Sequence, residues 1–165
     1  MRLFESIGVG HSVVLGDYTF TAESIKAFAG RFDPQPFHLD EAAGARSHFG
    51  ALCASGWQTA CVWMRLMVDH RKREDEECRA RGEPVAELGP SPGFRELRWL
   101  RPVYAGDTIR YSTEVLDKRI LSTRPGWGII FMRNTGVNQH GEPVISFISS
   151  AFVARRPAET EPRPA

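Results

Sequence analysis

Cysteine is scarce in this chain: Cys53, Cys61 and Cys78 are the only three among 165 residues. An odd count without a CxxC pair argues against a disulfide framework and against a zinc knuckle. Cys53 and Cys61 sit among apolar neighbours and read as core fillers in a reducing compartment. An excess of one charge is also lacking. Lys and Arg number 21 against 20 Asp and Glu, for a formal net charge of +1. Nothing in that balance points to nucleic acid or an anionic membrane as a partner. No run reaches the ~18 apolar residues that a membrane span requires. The stretch Met1 to Ser6 has no long apolar core of the signal-peptide kind, so the expected location is cytoplasmic. Neither GxGxxG nor GxxxxGK occurs, and no His/Cys ligand cluster does, so neither a metal nor a redox cofactor is expected. Internal repeats are absent too.

What is present is an ordinary globular balance, with 42% hydrophobic and 25% charged residues. A chain of this length can bury its own core. The expected organisation is one domain over residues 1–156, followed by a Pro/Glu-rich tail, 157–165, that reads as disordered.

Helical signals come early. Thr21 is an N-cap, and Phe20 with Ile25 matches a hydrophobic staple. Ile25, Phe28, Ala29 and Phe32 repeat at helical spacing, and Pro34 and Pro36 stop the helix near Asp33. Before it, residues 11–20 read as a short extended entry segment. A second short helix is expected over about Asp40 to Ser47. A third opens at Ser55-Gly56, and its body, Trp57 to Val68, is apolar almost all round, with Gln58, Arg65 and Asp69 as its polar stripe. That pattern predicts a helix wrapped by other structure. Mixed charges from Arg71 to Arg81 extend it as a solvated helix. The last third predicts strands at Phe94–Leu100, Thr108–Val115, Trp127–Val137 and Val144–Val153. Helices followed by an antiparallel meander make an α+β arrangement, a sheet around a central helix.

The chemistry concentrates in Asp33-Pro34-Gln35-Pro36-Phe37-His38. Two prolines stiffen a bend just past a helix end, and a carboxylate and an imidazole five residues apart can be aimed at one spot. Such a pair can hold a water and move a proton near neutral pH. Ordinary turn chemistry and a structural histidine fit the same six residues. Ala54-Ser55-Gly56-Trp57 places a helix N-terminus nearby, whose free N–H groups suit an oxygen gaining negative charge. A plain Ser55 cap, with Gly56 making room for packing, fits equally well. His11, His70 and His140 read as surface residues, and His48 is left open. Trp57 and Trp63 read as core.

The order Asp33-Pro-Gln-Pro-Phe-His38-Leu-Asp40, Phe49-Gly50 and Ala54-Ser55-Gly56 resembles the MaoC-like dehydratases and (R)-specific enoyl-CoA hydratases, whose motif is D-x-N-P-[LIV]-H. Leu97 to Asp107 is similar to the family's strand and Gly-Asp turn, and Asn138 to Val144 to its last hairpin. The resemblance runs from about residue 11 to 155. It implies a hot-dog fold, an antiparallel sheet wrapped round a long central helix. It also implies a hydro-lyase acting on an acyl-CoA thioester, in a homodimer, a dimer of dimers or a trimer of dimers. By position, Asp33 and His38 are its catalytic pair, the Gly56 N–H polarises the thioester carbonyl, and Ser55 lies against the substrate. No cofactor is implied beyond the coenzyme A of the substrate, for which Arg95, Arg98, Arg101 and Arg124 are available contacts. The chain departs from the motif at Gln35, at Phe37 and at Gly44, where Ala or Ser is expected. A hot-dog thioesterase and a non-catalytic acyl-thioester binder are the competing readings; the paired Asp33/His38 turn suits a hydratase better.

Overall fold

Strands account for more of the chain than the sequence pattern suggests. The computed structural model describes residues 3–156, so the tail assigned to 157–165 lies outside the described residues. A 3-10 turn at Phe4–Ser6 leads into β1 (Ser12–Thr19). Three helices follow: α1 (Ala22–Phe32), α2 (Pro36–Leu39) and α3 (Glu41–Arg46). The long α4 (Gly56–Ala80) comes next, then β2 (Gly93–Trp99), β3 (Thr108–Ile120), β4 (Trp127–Val137) and β5 (Pro143–Ala154). All strands join one antiparallel sheet in the order β1-β3-β4-β5-β2.

Two expectations change here. The entry segment is a full strand, with Ser12 opposite Glu114 and Thr19 opposite Thr108. The meander covers only β3, β4 and β5, because β2 crosses to the far edge and pairs with β5. Neighbouring strands in sequence usually pair, but β3 is flanked here by β1 and β4, and β2 takes the outer edge beside β5.

The signals that start α1 act as expected. The Thr21 side chain accepts the Ser24 N–H at 3.1 Å, a cap that contributes about 1 kcal/mol. Phe20 and Ile25 are fully buried. Asp33 then leaves the helix at φ −153°, ahead of Pro34.

Against the sheet, α4 buries one face only. Trp63 is 4% exposed, whereas Trp57 is 51% and Met64 48% exposed. Cys61 is exposed, against its reading as a core filler; Cys53 is buried as expected. Gln58 belongs to no solvated stripe. It is buried, and its Nε2 donates to the Ser24 carbonyl, fastening α1 to the start of α4. A helix laid on one sheet has two sides, and the described residues cover only one of them.

Beneath α4 the core has two parts. One gathers Phe20, Ile25, Trp63, Tyr111 and Phe147; the other gathers Phe4, Val115, Ile130 and Val153. Between them Thr113 Oγ1 donates to Asn134 Oδ1, and Asn134 Nδ2 donates to Ser149 Oγ, each at 2.9 Å. These bonds satisfy the fully buried Asn134.

Candidate active site

Backbone bonds assemble three separate segments around the two prolines. Pro36 occupies the first turn of α2, where its missing N–H costs nothing. The expected bend is therefore in part a helical turn, and that turn carries His38. The Cys53 N–H donates to the Phe37 carbonyl at 3.4 Å, and His38 Nδ1 donates to the Cys53 carbonyl at 2.7 Å. Cys53's segment is strapped in turn to the stretch after β2, by Ala54 N–H to Val103 O at 2.7 Å and Ala105 N–H to Leu52 O at 3.2 Å. Gly44 explains its own departure from the expected pattern. A Cβ there would lie 2.6 Å from the Leu52 amide nitrogen, so α3 approaches this strap only through glycine.

The bond to Cys53 sets the state of the imidazole. A carbonyl can only accept, so Nδ1 carries hydrogen and the proton-exchanging atom is Nε2. His38 Nε2 lies 3.4 Å from Asp33 Oδ2. The imidazole is almost wholly buried, and Asp33 keeps about a fifth of its side chain exposed. Asp33 Oδ1 accepts from Gln35 Nε2 at 2.9 Å, so Gln35 at the motif's Asn position holds the carboxylate in place. Phe37, the other departure, stacks its edge near the His38 ring and lies 5.1 Å from Phe49, walling the site with aromatics.

Burial pushes the Asp33 carboxyl up. The Gln35 amide, the Ser55 hydroxyl and the charge His38 carries when protonated outweigh it, and the net direction is below the ordinary carboxylate range. A lowered folded value means that the unfolded chain takes up the proton first as pH falls. The stabilisation is therefore present above the unfolded pKa of about 3.9 and is lost as pH falls through the lower folded value. The gap in urea midpoint between wild type and Asp33→Asn is expected to narrow on titration from about pH 6 to about pH 3. A gap that stays constant would reject the depressed pKa.

Ser55 caps α4, its fully buried hydroxyl accepting the Trp57 N–H at 3.2 Å. Gly56 begins the helix, and its N–H has no partner within the helix. Trp99 lies across it: a Cβ on Gly56 would stand 2.6 Å from the indole. One cavity of about 400 Å³ gathers all four predicted residues, Asp33, His38, Ser55 and Gly56, with Phe37, Phe49, Trp57, Trp99 and Arg101 in its walls. Among the four arginines considered for coenzyme A, Arg101 is the one lining this cavity. His48 stays behind the wall, its ring 3.8 Å from that of Phe49.

Sequence reasoning did not find the Cys53 carbonyl or Trp99. The first is a backbone group, invisible in residue type. A one-residue bulge in β2, with Glu96 at φ 58°, precedes Trp99 and shifts its register; nothing local predicts where its ring lands. Within the described residues no His/Cys/Asp/Glu group has metal-holding geometry, and no helix is long and apolar enough to cross a membrane.

A long helix on a five-stranded antiparallel sheet is the hot-dog architecture. A Mycobacterium tuberculosis protein described as a double hot-dog fold superposes with TM-score 0.73 over 98% of this chain and 46% of its own length, at 19% identity. The chain belongs to the MaoC-like dehydratase family, whose MaoC-like domain model matches residues 8–126. A MaoC-like dehydratase from Rhodospirillum rubrum is 36% identical, with TM-score 0.78 over 95% of this chain and 99% of that one. Mesaconyl-CoA hydratase of Cereibacter sphaeroides is 37% identical over 76 residues, 42% of this chain. This chain covers 22% of that hydratase's length.

Proposed function

We propose that this protein is a hydro-lyase that reversibly hydrates a trans-2-enoyl thioester, with coenzyme A as the acyl carrier. The observation carrying this reading is the pairing of Asp33 and His38 at 3.4 Å in one cavity with the Ser55-Gly56 helix start. When the His38 ring is neutral, Asp33 Oδ2 and His38 Nε2 are two acceptors, so one water can donate a hydrogen to each. As its oxygen bonds to C3, the pair takes up one of its protons. The electron pair of the double bond moves toward the thioester carbonyl, and the Gly56 N–H stabilises the oxygen that gains charge. The pair then returns a proton to C2 and ends as it began. Gln35 and Ser55 position the carboxylate, and Arg101 at the cavity wall suits a carrier phosphate.

A panel of trans-2-enoyl-CoA thioesters tests the activity. Loss of the conjugated enoyl absorbance without free thiol is the expected result. Thiol release would indicate a thioesterase instead, and silence across the panel would overturn the catalytic reading.

The working unit is a homodimer built through β2 and the open side of α4. β2 is an edge strand, and Trp57, Met64, Phe94, Trp99 and Leu100 are all large, apolar and 44–58% exposed. A long exposed edge beside such a patch is the kind of surface another chain covers. Trp57, Trp99 and Leu100 also line the Asp33/His38 cavity, so pairing there encloses the site. Phe94→Asp is expected to convert the dimer to a monomer in sedimentation velocity. An unshifted sedimentation coefficient would move the interface elsewhere.

A further inference from the structure

A second cavity, of about 490 Å³, lies between the middle of α4 and the sheet, and it shares no lining residue with the first. Its helix wall carries Met67 and Val68, with half-exposed Met64 at its margin, and its sheet wall carries Val115, Ile130 and Met132. Protein interiors leave few voids larger than a water. Here two apolar walls face each other without meeting, and the space is in the range of small-molecule sites. Unbranched, polarisable methionines on both walls adapt to a flexible chain.

The mouth is polar. His11, His70, Arg71 and Glu74 stand there. His70 faces Glu74 at 3.9 Å, whereas half-buried Arg71 enters no ion pair among the described residues. An unpaired guanidinium at the rim of an apolar chamber suits an anion whose body enters that chamber.

We infer that this cavity is a second ligand site, for a linear medium-chain aliphatic carboxylate, with the alkyl chain between α4 and the sheet and the carboxylate on Arg71. The inference is independent of the hydration chemistry, since neither Arg71 nor Val68 touches the Asp33/His38 cavity.

Isothermal titration of the purified full chain with decanoate tests it, with 1-decanol as the uncharged comparator. Decanoate is expected to bind saturably at one site per chain. Arg71→Ala should weaken decanoate at least tenfold and leave 1-decanol within twofold. Val68→Trp, which fills the chamber, should abolish both. Retained hydration of an enoyl-CoA, or an unchanged circular dichroism spectrum should no substrate be turned over, establishes that each variant is folded. Absence of saturable decanoate binding overturns the site. So does decanoate binding indifferent to Arg71→Ala, or binding that survives Val68→Trp.

Discussion

Asp33→Asn is expected to lower kcat for enoyl thioester hydration by about a thousandfold, within the span usual for a positioned acid or base. KM should change little. The substitution is close to isosteric, and Asn Oδ1 can still accept from Gln35 as Asp33 does at 2.9 Å. What disappears is the second acceptor. An amide nitrogen replaces the Oδ2 that faces His38 Nε2 at 3.4 Å. That nitrogen donates rather than accepts, so the water loses one of its two anchors and the pair loses its anionic member. Steady-state kinetics beside the circular dichroism spectrum makes the comparison. A variant retaining more than a tenth of the wild-type kcat would remove Asp33 from the proton path. His38 offers a control. Its short Nδ1 bond is to the Cys53 carbonyl, so Cys53→Ala preserves that partner, removes only the Sγ 3.7 Å away and should leave kcat within a fewfold.

The parts of this site that were legible in the sequence are those set by local chemistry. Thr21, Phe20 and Ile25 announced the start of α1, and Pro34 announced its end, because capping, stapling and proline sterics act within a few residues. Trp127–Val137 is readable to both its ends as a strand-like run closed by the turn that follows. Asp33 and His38 were legible as a pair because two prolines leave the bend few conformations. Long-range partners were not legible. That β2 pairs with β5, or that the Cys53 carbonyl fixes the imidazole tautomer, depends on which distant backbone arrives alongside. The uniform apolarity of Trp57–Val68 predicts complete burial. In the chain by itself only one face meets the sheet, and Trp57 and Met64 remain about half exposed. The pattern reports every surface a helix covers and cannot separate its own fold from a partner. Gln58 misled for the converse reason: a polar residue reads as solvated, but one well-placed carbonyl on α1 makes it a buried clasp.

Gly56→Ala separates a packing role from a helix-propensity role by the sign of its effect. Gly56 is the first residue of α4, and in open space alanine at a helical position is favoured by up to about 1 kcal/mol. Here the added methyl would sit 2.6 Å from Trp99 Nε1 and Cε2 and 2.8 Å from Cδ2. The indole stands edge-on to Trp57, with ring centroids 5.2 Å apart, and lines the cavity, so displacing it disturbs both. Overpacking of this kind costs about 1–3 kcal/mol, enough to reverse the propensity gain. The expected result is a net loss of stability in urea together with a fall in kcat/KM of about a hundredfold, the order lost with one oxyanion donor. The fall follows because relief of the clash moves either the indole into the cavity or the Gly56 N–H off its target. Trp99→Leu removes the ring. Combined with Gly56→Ala it should recover most of the lost stability, giving a coupling of about 1–3 kcal/mol for two residues in contact. If Gly56→Ala stabilises the protein, or if the double variant shows no coupling, Trp99 does not lie over the start of α4 in solution. The backbone N–H proposed to meet the thioester oxygen would then be open from a side that the indole now closes.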